Sequence, residues 1–269
     1  MSFSIQGRTA IVTGAATGIG RAIALHLAER GANVMCADGN DAALTADLGE
    51  RQEHSDQIRC FAADMSQRLS MANLVSATLD AFDRVDILVN AHRLVKPSDP
   101  LDMDGEQLEE MLRQNMMASL RLSQIVAKRM IKQAASDPDE DRQAGAIVNL
   151  TTLAAQRPHL ALMGYSIACA ALDQATRGLA LALAPHRIRV NAVAFGSVMS
   201  EELRLQLRER PDLREAILQG TPMGRIAAAD ELAEMVHYLV SPASAFVTGQ
   251  VVNVDGGRSL ADAVSAPVF

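Results

Sequence analysis

Several features that other protein classes depend on are scarce in this chain of 269 residues. Its three cysteines (Cys36, Cys60 and Cys169) are odd in number and far apart, which excludes a disulfide-stapled scaffold and indicates a reducing compartment. No apolar run approaches the roughly 18 residues that cross a bilayer, and Met1–Ser4 lacks the charged and apolar regions of a secretory signal. We therefore expect a soluble, cytoplasmic protein.

Positive charge is also in short supply. The formal net charge is −7 at pH 7, so neither nucleic acid nor an anionic membrane surface is an expected partner. Hydrophobic residues make up 49% of the chain and are spread along its whole length, which is enough to build a large core. Because no Pro/Gly/Ser-rich linker or internal repeat divides the sequence, we expect a single domain over residues 1–269.

Short β-branched runs alternate with long helical patterns from one end to the other. The predicted strands are Ala10–Thr13, Asn33–Ala37, Ile58–Ala62, Asp86–Asn90, Ala146–Leu150, Ile188–Ala194 and Gln250–Val254. The most regular predicted helices are Ile19–Arg30, Leu69–Phe82, Gly105–Gln133, Ala168–Ala184 and Ala229–Leu239. This alternation predicts an α/β fold with a doubly wound, mostly parallel sheet of about seven strands and helices on both faces.

Two segments interrupt this alternation. Residues 135–142 are acidic and contain a proline, which is typical of a solvated loop. Residues 197–224 are charged and helical and lie between two strand–helix units. We predict a lid over a substrate site for the second segment, with surface decoration as the alternative.

A glycine-rich turn connects the first strand to the first helix. It reads Thr13-Gly14-Ala15-Ala16-Thr17-Gly18-Ile19-Gly20, and its glycines permit a tight turn and close approach of backbone N–H groups to a pyrophosphate. Three glycines in eight residues are also compatible with a merely flexible turn. The position between strand and helix favours dinucleotide binding by Gly14, Thr17, Gly18, Ile19 and Gly20.

Acidic residues follow the second and third strands. Asp38 ends the second strand, where a carboxylate can accept hydrogen bonds from an adenosine ribose, although a turn or helix-cap role is the alternative. A ribose 2′-phosphate would meet this anion, and the turn offers no base except Arg21 nearby, so NAD is favoured over NADP. Asp64 follows the third strand as a candidate contact for the adenine edge, or as an ordinary loop carboxylate.

Taken together, these residues resemble the classical short-chain dehydrogenase/reductase family over nearly the whole chain, through Asn191–Ala194 and Thr248–Gln250 to Asp255–Gly257. The resemblance implies a Rossmann-type domain that oxidises alcohols or reduces carbonyls of small molecules with a nicotinamide cofactor. It also implies a homo-oligomer, a tetramer or dimer. Three more cofactor contacts follow from it: Met65, Asn90 and Val198.

The catalytic half of the family pattern is only partly present. Tyr165 matches the catalytic tyrosine, Asn115 the helix asparagine, and Thr152 occupies the serine position, where it keeps a hydroxyl. The lysine expected four residues after the tyrosine is Cys169. The Asn-Asn-Ala-Gly motif after the fourth strand reads Asn90-Ala91-His92-Arg93.

Loss of the lysine removes a cation that would stabilise the phenolate of Tyr165, whose ordinary pKa is about 10. His92 and Arg93 are the candidates to replace that charge, with space-filling loop roles as the alternative. A cysteine in a helix is more often a small apolar residue than a nucleophile, so Cys169 is interpreted as packing.

The sequence therefore supports an NAD(H)-dependent oxidoreductase with an atypical or weakened active site. The alternatives are a dinucleotide-binding protein without catalysis, such as a redox sensor or partner subunit, and a structural subunit that binds no nucleotide. No metal site is predicted.

Overall fold

One parallel sheet forms the centre of the protein in the computed structural model, which describes residues 2–101, 105–139 and 142–262. Within these residues the strands are β1 (Thr9–Thr13), β2 (Asn33–Asp38), β3 (Ile58–Ala62), β4 (Ile87–Asn90), β5 (Gly145–Thr152), β6 (Ile188–Phe195) and β7 (Val251–Val254). Their spatial order is β3-β2-β1-β4-β5-β6-β7, and every neighbouring pair is parallel. The predicted seven-stranded, Rossmann-like α/β fold is confirmed.

Helices cover both faces of the sheet. They are α1 (Gly18–Glu29), α2 (Asp41–His54), α3 (Arg68–Phe82), α4 (Gln107–Met111), α5 (Ala118–Ala134), α6 (Met163–Leu183), α7 (Glu201–Glu209), α8 (Pro211–Gln219) and α9 (Ala229–Val240). One π-helical turn, Leu112–Met117, joins α4 to α5.

Successive residues of the central strands supply two separate cores. In β1, Ala10 and Val12 pack with α1 and α9 on one face, whereas Ile11 packs with α3 and α5 on the other. Burial on both faces explains why the strands read as continuous apolar runs. Helix α1 turns Ile19, Ile23 and other apolar residues at helical spacing towards its core.

The strand order reverses direction beside β1, because the chain passes from β3 across to β4. Ligands of open α/β sheets bind outside the carboxyl ends of the strands at such a reversal. Thr13 and Asn90 are paired at the carboxyl ends of β1 and β4, and this edge is where the candidate site lies.

Some local details differ from the sequence expectations. The predicted helix Gly105–Gln133 begins at Gln107 and is divided by the π-helical turn, and α6 begins five residues before the predicted Ala168, so that Tyr165 lies within it. Residues 140 and 141 of the predicted acidic loop lie outside the described residues.

One stretch, Met163–His186, is long and apolar enough to cross a membrane by length and composition alone. Ala168, Leu172 and Ala180 in this helix are buried within the protein, as expected of a helix that packs against a sheet. The apolar composition therefore has a structural explanation in the fold.

Candidate active site

The glycine-rich turn between β1 and α1 closely approaches the segment that follows β4. Gly14 has a φ of +67°, and a Cβ at this position would lie 2.7 Å from backbone atoms of His92. Gly18 has a φ of +56°, and a Cβ on Gly20 would overlap the carbonyl group of Gly14. These backbone angles and close contacts require glycine, so the glycines give the turn a defined conformation and do not merely make it flexible.

Asp38 fixes the conformation of this turn. Its Oδ2 accepts a hydrogen bond from the Ala16 N–H at 3.0 Å, and its Oδ1 accepts one from the Asn40 N–H at 2.9 Å. A cavity of about 340 Å³ opens beside it. Its lining consists of the turn, the ends of β2 and β4, and the start of α7, namely Gly14, Ala16, Thr17, Gly18, Ile19, Gly20, Asp38, Asn40, Ala91, His92, Arg93, Ser200 and Glu201.

This cavity fits the diphosphate and ribose of a dinucleotide. The side-chain-free glycines leave room for a ligand at the first turn of α1, where unpaired N–H groups and the helix dipole favour an anion. Asp38 lines this cavity, and a ribose hydroxyl bound there can donate a hydrogen bond to its carboxylate.

The remaining predicted cofactor residues lie elsewhere. Val198 lines a second, larger cavity. Asp64 accepts hydrogen bonds from the backbone and hydroxyl of Ser66, and Met65 is buried. The amide of Asn90 donates to Asn149 Oδ1 at 2.8 Å and belongs to a buried polar network. Asp64, Met65 and Asn90 line neither cavity.

Tyr165 and Thr152 line the larger cavity, which measures about 680 Å³, and Cys169 contacts Thr152 without lining it. Tyr165 and Thr152 line it with 5% and 8% of their surfaces exposed. The Thr152 hydroxyl donates to Cys169 Sγ at 3.9 Å. The predicted tyrosine and threonine therefore share one cavity, and the cysteine packs directly behind the threonine.

Burial raises the pKa of the Tyr165 phenol above its ordinary value, and Cys169 acts in the same direction. Arg93 and the Thr152 hydroxyl act the other way and lower the pKa, but they do not outweigh burial. The Cys169 thiol is itself buried, which raises its pKa and keeps it neutral. This site favours the protonated tyrosine.

Asn115 lies in the π-helical turn and is used to hold the backbone of a neighbouring loop. Its Oδ1 accepts from the Leu94 N–H at 2.7 Å, and its Nδ2 donates to the Leu94 carbonyl at 2.8 Å. Leu94 packs against the cluster that contains Tyr165 and Cys169. Asn115 is therefore connected to Tyr165 indirectly, through Leu94.

His92 is locked in a neutral form. Its Nε2 lies 3.0 Å from the Gln114 carbonyl, which can only accept, so Nε2 carries the proton and Nδ1 accepts from the Thr13 hydroxyl at 2.7 Å. Burial lowers the pKa of His92 to about 4. Of the two candidate replacements for the missing lysine, His92 therefore brings no positive charge near pH 7.

Arg93 brings a cation to the cavity. Its guanidinium carbon lies 5.2 Å from the centroid of the Phe195 ring, a cation–π geometry. Phe195 is the register partner of Thr152 in neighbouring strands. Arg93 lines both cavities, as do Ile19 and Ser200, so the two cavities meet at its side chain.

Two further arginines line the larger cavity, and sequence reasoning did not single them out. Arg157 follows the end of β5, and Arg258 donates to Ser197 Oγ at 2.8 Å. Arg258 directly follows Asp255–Gly257, a segment that carries part of the family resemblance. Its position directly after that segment could have identified Arg258 as a candidate site residue.

Comparisons with known proteins show which proteins this chain is similar to. The family model described as "Enoyl-(Acyl carrier protein) reductase" matches residues 14–259. The 7alpha-hydroxysteroid dehydrogenase of Escherichia coli K12 is 30% identical over 94% of each chain, and the galactitol 2-dehydrogenase (L-tagatose-forming) of Cereibacter sphaeroides is 34% identical over 96% of this chain and 97% of its own. The crystal structure of a short-chain type dehydrogenase/reductase from Mycobacterium marinum aligns with a TM-score of 0.84 at 27% identity, covering 95% of this chain and 97% of that one.

Proposed function

The chain belongs to the short-chain dehydrogenase/reductase family, and we propose that it is an NAD(H)-dependent oxidoreductase that interconverts a small-molecule alcohol and its carbonyl compound with a weakened active site. The observation that carries the proposal is the continuity of the two cavities. The glycine-rich cavity meets the larger one at Ile19, Arg93 and Ser200, and the larger cavity contains the hydroxyl groups of Tyr165 and Thr152.

The chain's own residues supply proton transfer and orientation. A bound nicotinamide would accept or donate the hydride at the carbon of the alcohol or carbonyl. Thr152 can hold the substrate oxygen through its hydroxyl, and Tyr165 can exchange a proton with that oxygen. Asn115 acts indirectly, since it positions the Leu94 loop behind the tyrosine.

Arg93 is our candidate for the charge that the missing lysine would provide. It is cationic near neutral pH, and its field favours the phenolate of Tyr165. Arg93 stacks on Phe195, which neighbours Thr152 in the sheet, and it lines the same cavity as Thr152 and Tyr165. Its effect is smaller than that of burial, which is why we describe the site as weakened.

The preference for NAD rests on Asp38. Two backbone N–H groups hold its carboxylate beside the smaller cavity, which Asp38 lines, so a 2′-phosphate bound there would be repelled.

Residues 197–224 are proposed to form the lid of the substrate site within a single domain. They contain α7 and α8, and Ser200, Leu203 and Gln206 face the larger cavity. Cytoplasmic location and a homotetramer or homodimer are part of the same proposal. The hydroxysteroid and galactitol specificities of the two relatives suggest secondary alcohols as the first substrates to test.

A calorimetric titration with NADH, with NADPH as its control, tests the proposal before any substrate is known. Heat is the suitable signal because the protein has no tryptophan to transfer energy to NADH. We expect NADH to bind and NADPH to bind more weakly. The proposal would be contradicted if neither NADH nor NADPH bound.

A second candidate is a dinucleotide-binding protein without catalysis, which the neutral thiol at position 169 favours. In that case NADH would bind in the calorimeter, but hydroxysteroids and polyols would give no turnover. Cys169→Lys would then create activity without changing the affinity for NADH.

A further inference from the structure

Two histidines and a glutamate meet on the side of the molecule where α1 packs against α9, outside both cavities of the active site. His26 lies on α1, and Glu234 and His237 lie one helical turn apart on α9. Each residue offers one possible metal-ligand atom, and these three atoms all lie within 4.8 Å of one another. Glu234 Oε2 is 3.6 Å from His26 Nε2 and 3.7 Å from His237 Nδ1.

The tautomer of His237 leaves a lone pair directed at this point. Its Nε2 lies 2.8 Å from the Phe3 carbonyl oxygen, which can only accept, so Nε2 carries the proton and Nδ1 does not in the neutral ring. A histidine that donates one ring N–H to a backbone carbonyl and turns the other nitrogen to a metal is the usual arrangement at metal sites.

His26 offers a second nitrogen that could bind a metal ion. Its Nε2 is buried and has no hydrogen-bond partner among the described residues. A buried nitrogen without a partner is costly, and a bound cation would remove that cost.

The carboxylate of Glu234 is divided between two directions. Its Oε1 accepts a hydrogen bond from Arg30 Nη2 at 2.7 Å, and its Oε2 faces both imidazoles. The arginine therefore orients the carboxylate without occupying the oxygen that points to the histidines. Glu29 adds negative charge near His26, and Arg30 adds positive charge.

We propose that His26, Glu234 and His237 form a binding site for a divalent transition-metal ion of the Zn²⁺ class. Two imidazole nitrogens and one carboxylate oxygen are typical of a three-ligand zinc site with its fourth position open. Tetrahedral ligands at zinc lie about 3.3 Å from one another, so small side-chain adjustments would close the observed distances. A cavity of about 530 Å³, lined by His26 and Glu234, gives the ion an entry path and room for a water ligand.

Metal binding here would link three parts of the chain. Helices α1 and α9 supply the ligands, and the Phe3 carbonyl holds His237 from the N-terminal segment. Because the three ligands come together only in the folded protein, the ion would stabilise the native state. The site is independent of the proposed oxidoreductase activity, so success or failure of one does not decide the other.

The test uses the full-length protein after treatment with a chelator. Titration with ZnCl₂ by calorimetry gives the stoichiometry and Kd, CoCl₂ gives the visible absorption of tetrahedral cobalt, and a thermal melt gives the shift in Tm. We expect one ion per chain and a higher Tm with zinc. Glu234→Gln and His26→Gln should each weaken binding by more than about tenfold and reduce the shift in Tm.

His186→Gln is the matched control, because it removes an exposed imidazole outside the cluster. It should bind zinc as the wild type does. Both ligand variants alter partly exposed side chains, so a folded protein is expected, and circular dichroism verifies it. The proposal is overturned if the wild type binds no ion, which is the result expected if only a proton is shared between His26 and Glu234. It is also overturned if both ligand variants keep the wild-type Kd.

Discussion

The Thr152 hydroxyl donates a hydrogen bond to the Sγ of Cys169 at 3.9 Å, at the position where the family pattern has a lysine. This contact joins the two departures from that pattern, because Thr152 itself stands in the serine position. The pair packs beside Tyr165, and the thiol contributes no positive charge to the phenol. The proposed active site therefore has hydroxyl groups that can orient an oxygen, but lacks a lysine ammonium that would favour ionisation of the tyrosine.

Cys169→Lys should lower the pKa of Tyr165, because an ammonium group on the same helical face stabilises the phenolate. The chain has only two tyrosines and no tryptophan, so ultraviolet titration in a Tyr238→Phe background reports Tyr165 alone. We expect the wild-type phenol to ionise above its ordinary pKa of about 10, and the lysine variant to ionise at lower pH. Turnover at pH 7 should rise by about 10²–10⁴-fold.

Cys169→Met is the control for this change, since it lengthens the side chain without adding charge. It should leave the Tyr165 titration at high pH. If the methionine variant lowered the pKa as much as the lysine variant does, the electrostatic explanation would be wrong.

Arg93→Gln should move the ionisation of Tyr165 to still higher pH, because Arg93 lowers the phenol's pKa in the wild type. Arg93→Lys keeps the charge and should retain most of the effect. Arg157→Gln removes another arginine from the same cavity and serves as the matched control. An unchanged titration curve in Arg93→Gln would exclude Arg93 as the replacement cation.

The sheet could be predicted from sequence because its strands are continuous apolar runs between regular helical patterns. β3 has the same bounds in the prediction and the structure, and the other strands differ at their ends. The π-helical turn at Leu112–Met117 could not be predicted, since the Asn115 side chain there is bonded to Leu94, which is distant in sequence.

The candidate site was predictable where its residues lie close together in the sequence. The glycine turn and Asp38 are close together in the sequence, and their spacing predicts dinucleotide binding. The neutral state of His92 depends on Thr13 and Gln114, and the cluster of His26 with His237 depends on the packing of α1 on α9. Neither set of residues has a sequence spacing that would reveal it.

Asp38→Asn should reduce the proposed preference for NADH over NADPH. The substitution removes the charge that repels a 2′-phosphate and weakens the hydrogen bonds offered to the ribose, so NADH binding should fall by about tenfold. Calorimetric Kd values for both nucleotides measure the change. Asp80→Asn, which alters an exposed carboxylate on α3, should leave both affinities unchanged. Equal preference in wild type and Asp38→Asn would contradict the assigned role.

His92 should make the protein less stable as the pH falls. Its pKa is lowered from 6.5 to about 4 in the folded state, so between these values the unfolded chain binds a proton that the folded chain excludes. The free energy of unfolding then decreases with falling pH by up to about 1.4 kcal/mol per pH unit from this group, and the effect ends below about pH 4. Urea denaturation at pH 7, 6 and 5, roughly spanning that window, measures the slope.

His92→Gln removes the titrating ring while leaving an amide that can bond Thr13 and the Gln114 carbonyl. It should reduce the dependence of stability on pH in this window, and His26, whose pKa is also lowered, should account for part of the slope that remains. His186→Gln, which removes an exposed imidazole, is the matched control. If His92→Gln kept the full slope as well, the neutral, hydrogen-bonded imidazole beside the glycine turn would not be the group that excludes the proton.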